Sequence, residues 1–132
     1  MSSTVRALVV GHGEFAAGLV SAVDQITGRG DHLLALTNRG LGGKDVELMI
    51  RERLRLENVE VVFLDLPAGS CAIAARRIAR DNPGTTLVTG TNLPTLLDFV
   101  FLDDMPPAEA ARHAAEKGRA SVEILGGPVG GR

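Results

Sequence analysis

The chain has 132 residues, a length that suits one compact domain, and its 14 Lys and Arg against 16 Asp and Glu leave a net charge of −2. With no basic face in prospect, sequence-independent nucleic-acid binding is excluded, and four Phe with no Tyr or Trp remove base-stacking platforms and aromatic cages. No apolar run approaches the ~18 residues that span a bilayer, no signal-peptide pattern opens the chain, and the single Cys71 rules out an internal disulfide or a zinc ribbon, so a cytoplasmic globular protein is expected.

Val5 to Val10 is β-branched and apolar, and Gly11-His12-Gly13 closes it abruptly. From Glu14 to Ile26 the spacing turns helical, with Phe15, Leu19, Ala22, Val23 and Ile26 on one stripe, and Gly28 and Gly30 suit the helix end. His32 to Thr37 reads as a second strand, followed by the glycine-rich loop Asn38 to Gly43 and a helix from about Lys44 to Leu56. Val59 to Leu64 is nearly continuous in apolar residues, as a parallel strand buried on both faces requires, and Asp65 stands at its end. Leu66 to Ser70 turns into a helix whose inner stripe is Cys71, Ala74, Ala75 and Ile78. A fourth strand, Thr85 to Thr89, leads through Gly90 to Pro94 into helices at about Thr95–Leu102 and Pro107–Lys117. Ser121 to Leu125 reads as a last short strand.

Strands alternating with helices at this spacing predict right-handed βαβ units: an α/β fold, doubly wound, with a mostly parallel sheet of about four strands. Residues 1–125 are expected to form that single domain, and 126–132 a flexible Gly/Pro tail.

In such sheets ligands bind outside the carboxyl ends of the strands, where four loops of this chain meet. His12 directly follows an apolar strand and lies between two glycines, which permit a tight turn and leave the ring uncovered. Imidazole titrates at about pH 6.5, so near neutrality it offers a nucleophilic or basic nitrogen. Capping of the next helix is the alternative role. Asp65 is its natural partner, because a carboxylate that takes one ring N–H fixes the tautomer and frees the other nitrogen. Here the alternative is again a helix cap. Ser70 suits a cap or an anion contact at the helix N-terminus. The loop Asn38 to Gly43 has neither the Walker nor the dinucleotide spacing, and Arg39 reads as a surface arginine that is available to screen an anion. Arg76, Arg77 and Arg80 share the outer face of a helix, either solvated or docking an acidic partner. His32 and His113 read as solvated surface residues, and Cys71 as packed core.

Three segments, in order, carry a resemblance. Val9-Val10-Gly11-His12-Gly13-Glu14-Phe15-Ala16-Ala17-Gly18-Leu19, Phe63-Leu64-Asp65 with Ala68-Gly69-Ser70, and Gly90-Thr91-Asn92-Leu93-Pro94-Thr95-Leu96 are similar to motifs of the mannose-type IIA component of the bacterial sugar phosphotransferase system. The resemblance implies that His12 accepts a phosphoryl group from HPr and passes it to a separate IIB component. It implies that Asp65 orients the ring, and that Gly11, Gly13, Gly69 and Ser70 surround the phosphoryl group. No metal or cofactor is implied. The family's homodimers swap a C-terminal strand, here Ser121 to Leu125, and meet the membrane only indirectly through IIC and IID components. The chain departs from the pattern at Gly11, where Ser or Thr is frequent, and at Ala68, Cys71 and Thr91. Two further readings are a regulatory module phosphorylated on His12, and a small hydrolase or mutase using His12 and Asp65 as acid and base. Which sugar is served is not written in this chain.

Overall fold

A computed structural model describes residues 4–128 of the chain. Four parallel strands form one sheet: β1 (Ala7–Gly11), β2 (Leu33–Thr37), β3 (Val61–Leu64) and β4 (Thr86–Val88), in the order β2-β1-β3-β4. The helices are α1 (Phe15–Thr27), α2 (Gly43–Glu57), α3 (Ser70–Asp81), α4 (Leu93–Phe99) and α5 (Pro107–Ala120). The doubly wound parallel fold expected from the sequence is therefore the one formed.

Each central strand is apolar on both faces, so its alternate residues feed different layers. Ala7, Val9, Val61 and Phe63 pack with α1, α4 and α5, where the Phe63 and Phe99 rings meet edge-to-face with centroids 5.0 Å apart. Leu8, Val10, Val62 and Leu64 pack on the other face with Val46 and Ile50 of α2 and Cys71, Ala74, Ala75 and Ile78 of α3. Two cores clamp β1 and β3, which keeps the carboxyl ends of those strands in fixed register: Val10 lies opposite Leu64, and Gly11 opposite Thr37.

Several expectations are corrected. Ser121 to Leu125 forms no strand within this chain: α5 runs on to Ala120, and Val122, Ile124 and Leu125 lie exposed. An isolated apolar pentapeptide has no ladder partner here, and only pairing to another edge would make it a strand. Ile26 also leaves the core, since the helix stripe turns away from the sheet after Val23. His32 ends a 3-10 turn, Gly30–His32, and both its ring nitrogens are buried without a hydrogen-bond partner, so it is not a solvated surface residue. Helix α4 starts earlier than its apolar spacing suggests: Asn92 Oδ1 caps it by accepting from the Thr95 N–H at 3.1 Å, and Pro94 occupies its first turn. Of the expected Gly/Pro tail, residues 126–128 form bends and residues 129–132 lie outside the described part. Among the described residues no helix is long and apolar enough to cross a membrane.

Candidate functional site at the carboxyl edge of the sheet

The strand order reverses direction at β1. From there α1 leads outward to β2, and α2 crosses back to β3 on the other side. The carboxyl ends of β1 and β3 therefore flank a topological switch point, the crevice where open α/β sheets bind ligands. His12 leaves β1 there and Asp65 leaves β3.

The two side chains meet. His12 Nδ1 lies 2.7 Å from Asp65 Oδ2, and the same oxygen accepts the His12 backbone N–H at 2.9 Å. An ionised carboxylate only accepts, so the proton sits on Nδ1 and Nε2 keeps its lone pair. The imidazole side chain is 44% exposed and the carboxylate 11%. Burial pushes the Asp65 carboxyl up, but hydrogen bonds from the His12 ring and backbone, attraction to the ring and the Leu66 N–H outweigh it, and the net shift is downward. The carboxylate stays ionised and holds the ring.

Two glycines border this pairing. A Cβ on Gly11 would lie 2.7 Å from Phe15 Cδ2 and 2.9 Å from Asp65 Oδ2, so in this chain the ring or the carboxylate would have to shift to admit one. Gly69, with φ +96° and ψ 177°, occupies a region that is essentially closed to other residues, and a Cβ there would sit 3.5 Å from His12 Cε1 and 3.7 Å from Nε2. Its bare backbone leaves the free nitrogen open.

Gly69 is also the residue before α3, so the N-terminus of that helix, which carries no side-chain cap, begins beside the His12 ring. Ser70 opens α3, and its Oγ accepts from Asn38 Nδ2 at 3.3 Å. Gly13 follows the histidine with φ +54°, and its carbonyl accepts from Thr37 Oγ1 at 3.0 Å. The structure thus gathers His12, Asp65, Gly11, Gly13, Gly69 and Ser70 at one edge. Arg39 is exposed and pairs with Glu14 at 2.9 Å, at the rim of the site. Cys71 is buried one residue into α3, and its thiol is pushed up by burial and by the Asp65 charge. Asn38 and Thr37, which tie the β2 loop to Ser70 and Gly13, were not singled out by sequence. Their only signal was their position at a strand's carboxyl end. Among the described residues no three His, Cys, Asp or Glu side chains gather as a metal site.

An open parallel sheet carrying an exposed, carboxylate-oriented imidazole beside a glycine-lined helix N-terminus defines the class: a small α/β protein that leaves one ring nitrogen open at the carboxyl edge of its sheet. The chain matches the family model described as PTS system fructose IIA component, EIIA-man, over residues 6–116, and it belongs to that family. It is thus a IIA component of the sugar phosphotransferase system, a family of phosphotransferases. The mannose/sorbose-specific IIA subunit of Enterococcus faecalis has the same fold, with 19% identity, 98% of each chain covered and a TM-score of 0.78. So does the PTS IIA protein associated with the fucose utilization operon of Streptococcus pneumoniae, at 23% identity, 94% of this chain and 96% of that one, TM-score 0.75. A sigma-54 interaction domain protein from Enterococcus faecalis matches with 13% identity over 92% of this chain and 94% of that one, TM-score 0.71. No curated protein sequence matches the chain.

Proposed function

We propose that the protein is the phosphoryl-carrying IIA component of a sugar uptake system, which takes phosphate from phospho-HPr on His12 Nε2 and gives it to a separate IIB protein. The observation that carries this reading is the Asp65 carboxylate on Nδ1, 2.7 Å away, with Nε2 left open over Gly69. In the transfer, the Nε2 lone pair forms the new N–P bond in line as the donor's N–P bond breaks, and the donor nitrogen keeps that electron pair. Reactants held at about 3–3.5 Å in a loose transition state need positioning and charge stabilisation rather than a strong base. Asp65 balances the positive charge that grows on the ring. The first N–H groups of α3 and the Ser70 hydroxyl face the phosphoryl oxygens, and the turn glycines Gly11 and Gly13 let the loop close round them. Nothing in this step calls for a metal or cofactor.

The protein acts as a homodimer in this reading. Val122, Ile124 and Leu125 are exposed and apolar, and β4 is an edge strand with an unpaired side, so Ser121 to Leu125 of one copy can complete the sheet of the other.

A second reading, regulation through phosphorylation of His12, is favoured by the likeness to the sigma-54 interaction domain protein. Incubation with labelled phosphoenolpyruvate, HPr and the enzyme that charges HPr tests both. The carrier reading expects label on the wild type, none on His12→Ala, and loss of label when a cognate IIB is added. Label that stays on the protein before every IIB tried supports regulation instead, and an unlabelled wild type overturns both.

A further inference from the structure

A serine hydroxyl has one proton to give and two lone pairs with which to receive. Whether Ser70 can offer that proton to an anion at the start of α3 is therefore decided by what already holds its oxygen. Asn38, in the loop after β2, is that neighbour: its Nδ2–H donates to Ser70 Oγ at 3.3 Å. An amide N–H fills a lone pair and cannot take the proton, so the Ser70 O–H is left to point elsewhere. The hydroxyl also meets the adjoining Cys71 thiol, but sulfur is a weak acceptor, which an anionic oxygen outcompetes.

The loop that carries Asn38 is itself tied to the turn that carries His12. Thr37, the last residue of β2, lies opposite Gly11 in the sheet. The Asn38 backbone N–H donates to the Gly11 carbonyl at 3.2 Å, and the Asn38 carbonyl accepts from the Leu41 N–H at 3.0 Å. Thr37 Oγ1 accepts the Arg39 N–H at 3.2 Å and donates to the Gly13 carbonyl at 3.0 Å. The end of β2 thus grips the backbone on both sides of His12, and the Asn38 side chain alone carries that grip across to α3. Asn38 and Ser70 are both half-buried, which restricts the amide and the hydroxyl to few orientations.

We propose that Asn38 is a positioning residue for phosphoryl transfer, which holds the Ser70 hydroxyl so that its proton is offered to the group arriving on His12. The inference rests on His12 being the acceptor and deepens that reading. A transferring phosphoryl group spreads negative charge over its equatorial oxygens, and a donor that is already aimed stabilises it without reorganising. Asn38 acts through Ser70 and need not touch the phosphoryl group.

The test is a double-mutant cycle read as kcat and KM for His12 labelling by phospho-HPr, with thermal melting of each variant alongside. Every substitution at 38 keeps the backbone N–H that holds Gly11, so the side-chain link to Ser70 is what changes. Ser70→Ala is expected to lower kcat roughly 10–100-fold and Asn38→Ala about 3–10-fold, each with KM little changed. In the Ser70→Ala background, Asn38→Ala should alter kcat by less than about twofold, because its effect is spent through the hydroxyl. Asn38→Asp is nearly isosteric, so it keeps the fold, but the carboxylate it introduces only accepts: it draws the Ser70 proton away and sets a negative charge beside the transferring group. Its kcat should fall at least as far as that of Ser70→Ala.

A merely structural Asn38 would lower the melting temperature and lose the same factor in both backgrounds, and that result overturns the inference. So do a wild-type kcat in Asn38→Asp or in Ser70→Ala, and a defect in KM alone. In each of these cases a labelled wild type leaves the carrier reading standing. An unlabelled wild type removes that reading and this one with it.

Discussion

One oxygen of Asp65 holds His12 twice, by its ring Nδ1 at 2.7 Å and by its backbone N–H at 2.9 Å. The carboxylate fixes the place where β1 turns as well as the ring that leaves it. Asp65→Ala removes the tautomer lock, the counter-charge and the backbone anchor together, and phosphoryl transfer is expected to fall by about 10²–10⁴-fold. The fold should survive, because Asp65 follows β3 rather than contributing to either core. Rapid-quench labelling measures the first effect and thermal melting the second. Transfer at the wild-type rate in this variant would strip Asp65 of its role.

Gly11 offers a steric test of the same arrangement. An added Cβ would lie 2.9 Å from Asp65 Oδ2 and 2.7 Å from Phe15 Cδ2, too close for either side chain to stay where it is. Gly11→Ala is expected to push the carboxylate off the His12 N–H, to lower transfer at least as much as a partial loss of Asp65, and to cost about 1–3 kcal/mol of stability. Urea unfolding and labelling of one preparation check both. A variant unchanged in both would show that the turn relaxes freely and that the glycine is dispensable.

These contacts mark how far the sequence could be read. The fold was legible because β1 and β3 are apolar on both faces, a pattern that only a doubly covered parallel strand needs. His12 and Asp65 were legible because each stands at the abrupt end of such a strand, and strand order then brought them together. Asn38 was not, since its bond to Ser70 joins the loop after β2 to the start of α3, 32 residues on, and no local pattern records it. The buried ring of His32 was missed because a polar residue beside Asp31 reads as surface, while the tertiary packing of a 3-10 turn decides otherwise. The segment Ser121 to Leu125 carries strand propensity, but propensity supplies no hydrogen-bonding partner, and within one chain it finds none.

The molecule carries its own control for the site. His113 Nδ1 lies 2.7 Å from Asp98 Oδ2, the same separation as in the His12 pair, and its side chain is 47% exposed. It sits in the middle of α5, and no glycine adjoins it in the chain. If orientation by a carboxylate were sufficient, both histidines would take phosphate. We expect His113→Ala to label like the wild type and His12→Ala to show no label at His113 by mass spectrometry. Label at His113 would mean that the backbone cradle of α3 contributes little.

The lowered Asp65 carboxyl predicts a pH dependence of stability with a definite sign. Its pKa in the folded protein lies below the ordinary 3.8, because the His12 bonds and charge outweigh the burial that pushes it up. As pH falls, the unfolded chain therefore takes up the proton first. The stabilisation is fully present above the unfolded value and is lost as pH falls through the folded one. Asp103, held down mainly by a backbone hydrogen bond, and Glu47, held down by Arg51, also lie low, so acid weakens the wild type through more than one group. The comparison with Asp65→Asn isolates the one at the site. Urea midpoints measured from about pH 7 to about pH 3 should show the wild type more stable near neutrality. That advantage should shrink towards the acid end, where a protonated Asp65 is nearly isosteric with asparagine. A gap that stays constant across the range would mean that the carboxylate's charge is not what the folded state favours, and that Asp65 holds His12 through hydrogen-bond geometry alone.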